Sequence, residues 1–299
     1  MARSPMKEEI AVESGWLALG RQSLEVRHWR LAGARGTIVL IHEALGSASY
    51  WKDFPIPLAR SSGMNVVAYS RAGHGDSDGP LEPRAPAYYE RQVDVVLPRL
   101  MEEFRIAEPV LYGHSEGTAI AFLYAAAGKP VRAIIAESPI VLSEKKTLEA
   151  VNELDQPQAR AELVERLSRY HRDAAAVFAS WVEAARGHLA REFPAGAYLS
   201  HVRCPVLTIE GELDQYCSPA QSAVLEASLP DLQRVLLPGT GHLPHRERPE
   251  AVFEAVRGFL QEIDSRQPSD NQQGTDSQQG TWDGNTRLSD SASKRKADS

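Results

Sequence analysis

Several things are scarce in this sequence. Only two of its 299 residues are cysteine, Cys204 and Cys217. They form no close Cys-x-x-Cys or Cys/His spacing, so both are read as reduced thiols, with no disulfide framework and no sequence-local metal site. No apolar run approaches the ~20 residues that a membrane-spanning helix needs. Positive charge is not in excess: 33 Lys and Arg stand against 40 Asp and Glu, a formal net charge of −7. A basic footprint is therefore missing, and nucleic acid is not an expected partner. The opening stretch Met1-Ala2-Arg3-Ser4-Pro5-Met6-Lys7-Glu8-Glu9 has no apolar segment behind its positive charges. It does not read as a secretory signal, and a cytoplasmic location is the expectation.

What is present is ordinary globular composition, 42% hydrophobic and 24% charged, enough for one large domain with a real core. Composition shifts once. From 265 to 299 the chain is mostly Ser, Gln, Asp, Asn, Gly and Lys, with Trp282 and Leu288 its bulky apolar residues. Such a segment buries too little surface to offset its ordering entropy, so it is read as a disordered low-complexity tail after a domain at 1–264. Within that domain, short apolar runs alternate with helical patterns. Thr37–Ile41, Asn65–Tyr69, Val110–Tyr112, Val131–Ile135, Pro205–Ile209 and Arg234–Leu237 read as strands covered on both faces. Trp16 to Leu31 reads as two further strands around a turn at Gly20-Arg21-Gln22. Val93, Val96, Leu97, Leu100, Met101 and Phe104 share one helical face, on which Pro98 marks a kink or a start. Val252, Ala255, Val256, Phe259, Leu260 and Ile263 repeat that spacing. The alternation predicts an α/β fold, with a mostly parallel central sheet and helices on both faces.

From about 141 to 201 no strand is expected. Ala159–Tyr170 and Ala174–Ala185 carry good helix formers, which predicts a helical cap inserted between two strands. It brings Tyr170, Phe178, Trp181, Phe193 and Tyr198, of which Phe178 and Trp181 are the candidates for lining a substrate pocket.

The sharpest chemical signal is Gly113-His114-Ser115-Glu116-Gly117. It follows a strand directly and opens the apolar helix beginning Thr118-Ala119-Ile120. A serine between two glycines at such a turn is projected past the strand's end, with free helix N–H groups beside it. A serine hydroxyl needs a base, and histidine has the appropriate pKa. In the chain order serine, acid, histidine, the base is His242 in Pro238-Gly239-Thr240-Gly241-His242, with His245 as the alternative. The acid is Asp214, in Gly211-Glu212-Leu213-Asp214, with Glu137 as the alternative and Glu212 read as structural. Negative charge on a tetrahedral intermediate needs fixed donors. The backbone N–H of Glu116 is one, and that of Ala44, in His42-Glu43-Ala44-Leu45-Gly46-Ser47, is chosen as the other.

These pieces, in this order, resemble the α/β-hydrolase superfamily over roughly residues 14 to 264. Tyr69-Ser70-Arg71-Ala72-Gly73-His74-Gly75-Asp76-Ser77 is similar to the family's R-G-x-G-x-S loop. Cys204-Pro205-Val206-Leu207 resembles the entry to its acid-bearing strand. One departure is His42-Glu43, where many members have His-Gly. The resemblance implies acyl chemistry on a small substrate: hydrolysis of an ester, thioester, lactone or C–C bond, acyl transfer, or peracid formation. Dehalogenases and epoxide hydrolases of the superfamily carry aspartate at the elbow, where this chain has Ser115. No metal or organic cofactor is implied, and His42, His74 and His114 are read as packed loop histidines. The alternative from another class is a small-ligand-binding or regulatory protein on the same fold.

Overall fold

The computed structural model describes residues 9–187 and 198–266. The opening stretch forms a long hairpin, β1 (Ile10–Leu19) and β2 (Gln22–Leu31), which starts earlier than the apolar pattern suggested. Gly20 turns it at φ 62°. Then come β3 (Thr37–Ile41), α1 (Pro55–Ser62), β4 (Asn65–Tyr69) and α2 (Pro86–Arg91). A π-helical turn at Gln92–Val96 passes into α3 (Leu97–Glu103), with Pro98 in its first turn. Pro98 thus marks a restart, where its missing N–H costs nothing. β5 (Val110–His114), α4 (Glu116–Ala126) and β6 (Ala133–Glu137) follow. Three helices intervene, α5 (Lys145–Leu154), α6 (Pro157–Leu167) and α7 (Ala174–Arg186), before β7 (Val206–Gly211). The helix Pro219–Ser228, β8 (Leu232–Leu237), the short helix Pro244–Glu247 and the final helix Pro249–Arg266 complete the order.

The sheet runs β1-β2-β4-β3-β5-β6-β7-β8. β1, β2 and β4 pair antiparallel, and every pair from β4 through β3 to β8 is parallel. Alternate residues of each central strand enter different cores. Val39, Ile41 and Leu111 join Val96, Leu100 and Ile120 on one face. Ile38, Leu40 and Tyr112 join Leu58, Val256 and Phe259 on the other. That is why these strands are continuously apolar rather than alternating. The final helix buries Val252, Val256, Phe259, Leu260 and Ile263, the face its spacing predicts. It runs on through Ser265 and Arg266, two residues past the predicted domain end. Arg266 pairs with Asp231 and Glu262.

Register aligns the C-terminal strand ends. Ile41 lies beside Gly113, His114 beside Glu137, Glu137 beside Ile209, and Gly211 beside Leu237. The loops leaving Ile41, His114, Glu137, Gly211 and Leu237 therefore open on one edge, next to the point where strand order reverses. The insertion between β6 and β7 stands over that edge. Its small cores join Leu167, Ala174 and Val177 to Leu45, and Val151 to Phe178 and Val182. Helix-forming composition marks α6 and α7 in the sequence but not α5. Phe193 lies outside the described residues, as do Trp282 and Leu288.

Candidate active site

Ser115 caps the N-terminus of α4 at φ 52°, ψ −118°, a conformation costly for a residue with a side chain. The fold holds it there from several sides. Its N–H donates to the Glu137 carbonyl (2.9 Å), and its carbonyl accepts from the Thr118 N–H (2.9 Å). The Thr118 hydroxyl donates to the same carbonyl at 2.7 Å. Both flanking glycines are needed for closeness. A Cβ on Gly113 would stand 2.6 Å from the backbone of Gly117, and one on Gly117 would collide with the Ile41 carbonyl of β3.

His242 Nε2 lies 3.0 Å from Ser115 Oγ, and His242 Nδ1 lies 2.7 Å from Asp214 Oδ2. The other Asp214 oxygen accepts from the N–H groups of Tyr216 (2.8 Å) and Cys217 (3.0 Å). Burial pushes the Asp214 carboxyl up. The hydrogen bond and charge of His242, with those two N–H groups, outweigh it and leave the pKa at about 2. Burial pushes His242 down, but Asp214, Glu43 and Glu137 outweigh it, and its pKa is raised. The ring of Tyr216 meets that of His242 edge-on, with centroids 4.7 Å apart.

The two alternatives, Glu137 and His245, pair with each other. His245 donates to the Glu137 carboxylate through its N–H (2.6 Å) and Nδ1 (2.9 Å), and the Tyr112 hydroxyl donates at 2.9 Å. Burial pushes Glu137 up, yet His245 and His114 hold it at about 2. The ring of His245 meets that of His114 edge-on, with centroids 5.1 Å apart. His114 Nε2 donates to the His242 carbonyl at 2.8 Å, and the Ser138 hydroxyl donates to the same oxygen at 3.1 Å. Glu212 accepts from the Gly239 N–H and bridges two loops at 2.8 Å, matching its structural reading.

Glu116 and Ala44, the two residues expected to supply backbone donors, line the same cavity as Ser115. As the first residue of α4, Glu116 has an N–H without an intrahelical acceptor. Its side chain does something the sequence did not suggest. The buried carboxylate pairs with Arg71 (2.9 Å) and Arg84 (3.2 Å). Arg84 also donates to the Ala44 carbonyl (3.3 Å) and to the Ser180 hydroxyl of α7 (2.6 Å). Burial opposes the Glu116 charge, but the two guanidinium groups prevail and keep it ionised. His74 lies 3.1 Å from the Ala44 carbonyl, and His171 Nε2 lies 2.9 Å from that of Leu45. The loop with Glu43 in place of glycine is closed by the Glu43 carboxylate, which accepts from Leu45 N–H at 3.3 Å, and by Arg71 on the Glu43 carbonyl at 2.7 Å. His42 and His74, far apart in sequence, have rings 5.1 Å apart. Burial first, then the neighbouring arginines, push both well below the usual histidine range.

Ser115, Glu116, Ala44 and His242 open into a cavity of about 750 Å³. Trp181, one of the two candidates for a substrate pocket, lines it. Phe178 is not part of the wall. It turns away from the cavity and is buried among Val151, Val182 and Trp181. The two residues are three apart on one face of α7, and their rings meet edge-on with centroids 5.8 Å apart, Trp181 at the cavity wall and Phe178 packed behind it. Tyr50, Tyr170 and Tyr216 also line the cavity, two of them from loops that carry no motif. Among the described residues, no helix is long and apolar enough to cross a membrane.

Known proteins share this architecture. The chain is 22% identical over 251 residues to the sn-1-specific diacylglycerol lipase ABHD11 of Mus musculus, covering 75% of this chain and 80% of that one. It superposes with TM-score 0.68 and 22% identity on a carboxylesterase of Nitrososphaera gargenis, over 84% of this chain and 99% of the other. The 2-hydroxy-6-oxo-6-phenylhexa-2,4-dienoate hydrolase of Rhodococcus sp. strain RHA1 gives TM-score 0.70 at 17% identity, over 85% and 100% of the two chains. The model of the alpha/beta hydrolase family matches residues 38–255, a span holding Ser115, Asp214 and His242, and the chain belongs to that family.

Proposed function

We propose that the chain is a serine hydrolase that cleaves a small acyl compound through an acyl-enzyme on Ser115. One observation carries this reading. An unbroken hydrogen-bond relay, Ser115–His242–Asp214, at 3.0 and 2.7 Å, opens into a cavity large enough for an organic substrate. In the first step His242 Nε2 takes the Ser115 proton as the oxygen attacks the acyl carbon. The carbonyl oxygen becomes an oxyanion facing the N–H groups of Glu116 and Ala44. His242 then passes its proton to the leaving group. A water repeats the sequence, losing its proton to His242 and freeing the acid and Ser115. Asp214 holds the tautomer with the Nδ1 proton and favours the imidazolium. The cap acts as a lid that excludes water and shapes the acyl site.

Lipase, carboxylesterase and enol-lactonase activities named for similar proteins support an acyl–oxygen substrate. The test is labelling with a fluorophosphonate probe, beside turnover of p-nitrophenyl esters of graded chain length. Labelling and turnover that vanish together in Ser115→Ala support the hydrolase. A protein that binds ligands but neither labels nor turns over any ester belongs to the non-catalytic alternative.

A further inference from the structure

The wall of the cavity over Ser115 is unevenly charged. The chain carries a net −7, yet Lys52, Arg166, Arg169 and Arg246 all line this cavity. Lys52 and Arg246 are linked through two tyrosines. The Arg246 guanidinium lies 3.9 Å from the centre of the Tyr50 ring, and Tyr50 meets Tyr170 edge-on at 5.0 Å. Lys52 Nζ stands 5.7 Å above the Tyr170 ring. Arg169 precedes Tyr170, and Arg166 lies one turn back.

Among the described residues no carboxylate pairs with any of the four. Arg246 donates to the Tyr50 carbonyl at 2.6 Å, while its buried Nε has no acceptor. The acidic residues of the lining do not answer this charge. Glu144 is taken up by the Ser218 N–H at 3.0 Å and by Gln221. Glu43 accepts from Leu45 and acts on His242. Like charges lining one cavity without carboxylate partners repel each other unless an anion joins them. Elsewhere the wall carries Leu142, Leu148, Leu154, Leu163 and Trp181, beside Ser143, Thr147 and a fifth cation, Lys145, which Glu149 pairs at 3.0 Å.

We propose that the substrate is an amphipathic acyl compound with an anionic group, a carboxylate or a phosphate. The anion sits among Lys52, Arg169 and Arg246, and the apolar part lies against Leu148, Leu154 and Trp181. Arginine and lysine together suit either anion, and the Arg246 fork suits its planar or tripodal oxygens. The inference rests on the serine-hydrolase reading of the same site.

The experiment compares kcat/KM for p-nitrophenyl butyrate with that for the mono-p-nitrophenyl ester of glutaric acid, which places a carboxylate on the acyl side. Two further butyrates, of para-hydroxybenzoate and of para-hydroxyphenyl phosphate, place each anion on the leaving group, with the methyl ester of the former as the uncharged reference. At low salt at least one charged ester should exceed its uncharged counterpart by about tenfold, mostly through KM, and high salt should close the gap. Lys52→Glu and Arg169→Glu should each lower the charged-to-uncharged ratio severalfold. A measurement on the unaltered protein stands beside these variants: hexanoate should inhibit competitively at lower concentration than hexanamide. Turnover of neutral esters with no gain for any charged partner, and no salt effect, overturns the anion site and leaves the Ser115 chemistry standing. Absence of both fluorophosphonate labelling and turnover removes the two readings together.

Discussion

At the scale of single residues, the relay makes two separable expectations. Ser115→Ala, His242→Ala and Asp214→Asn should each lower kcat by ~10³ or more, since the members act as a unit, and far-ultraviolet circular dichroism should be unchanged. His245→Ala should behave differently, because His245 serves Glu137 rather than Ser115. If His245→Ala removes turnover with folding intact, and His242→Ala does not, the base is misassigned. The second expectation concerns pH. The His242 pKa is raised above 6.5, with burial lowering it and Asp214 and then Glu43 raising it more. The base must be neutral to accept a proton, so kcat/KM should climb with pH through a midpoint above 6.5. Removing the Glu43 charge in Glu43→Gln should move that midpoint down. A midpoint that stays put would show that Glu43 does not act on the base. The relay residues were legible because each stands in a short local signature: a glycine-flanked serine, an acid after a strand, a histidine in a glycine-rich loop. The Arg71–Glu116–Arg84 cluster was not, although Arg71 stands in a recognised loop. Its members come from three separate segments, and only the tertiary fold decides that their charges meet.

At the scale of elements, the elbow and the cap put different demands on sequence. The elbow packs backbone on backbone, so Gly117→Ala should drive a methyl group into the Ile41 carbonyl and separate α4 from β3. A large fall in Tm, or loss of soluble protein, is expected, and a variant with unchanged Tm would contradict the closeness of that contact. The cap was legible as helices, because helix formers and the absence of strand patterns are local features. Which of its aromatics face the substrate was not, because that depends on rotation of α7 against the body. Phe178 is 2% exposed and seals the cap's own core. Phe178→Ala should cost ~3–5 kcal/mol of cap stability, as expected for a buried aromatic. Trp181 faces the cavity, so Trp181→Ala should shift the preferred acyl length of p-nitrophenyl esters more than it shifts Tm. Equal Tm losses in the two variants, with acyl preference unmoved, would make Trp181 another packing residue and take selectivity away from α7.

For the whole molecule, the buried titratable groups, most of them near Ser115 and His242, should set how the protein responds to acid. Burial is the first cause that holds five histidines below the ordinary value of 6.5, namely His28 at about 4, His114 at about 3, and His42, His74 and His171. A base whose folded pKa is depressed takes its proton first in the unfolded chain, so stability is lost as pH falls below about 6.5. The carboxylates act lower down. Glu137 and Asp214 sit at about 2 in the fold against 4.5 and 3.8 outside it. Their stabilisation is present above those ordinary values and is lost as pH falls toward 2. His242 has the opposite sign: its raised pKa stabilises the fold at low pH, and that share is lost as pH rises through its folded value. Histidines on the losing side outnumber it, so urea midpoints should fall in two stages on acidification, first below about 6.5 and again below about 4.5. Truncation after Arg266 should leave both stages in place, because these groups lie between residues 28 and 242. His114→Asn keeps a side-chain amide near the His242 carbonyl while removing one titrating imidazole. It should shrink the first stage and spare the second. If instead the midpoint is flat from pH 7 down to the carboxylate range, the buried histidines are protonated equally in the folded and unfolded chain, and the neutral imidazoles assigned to them are wrong.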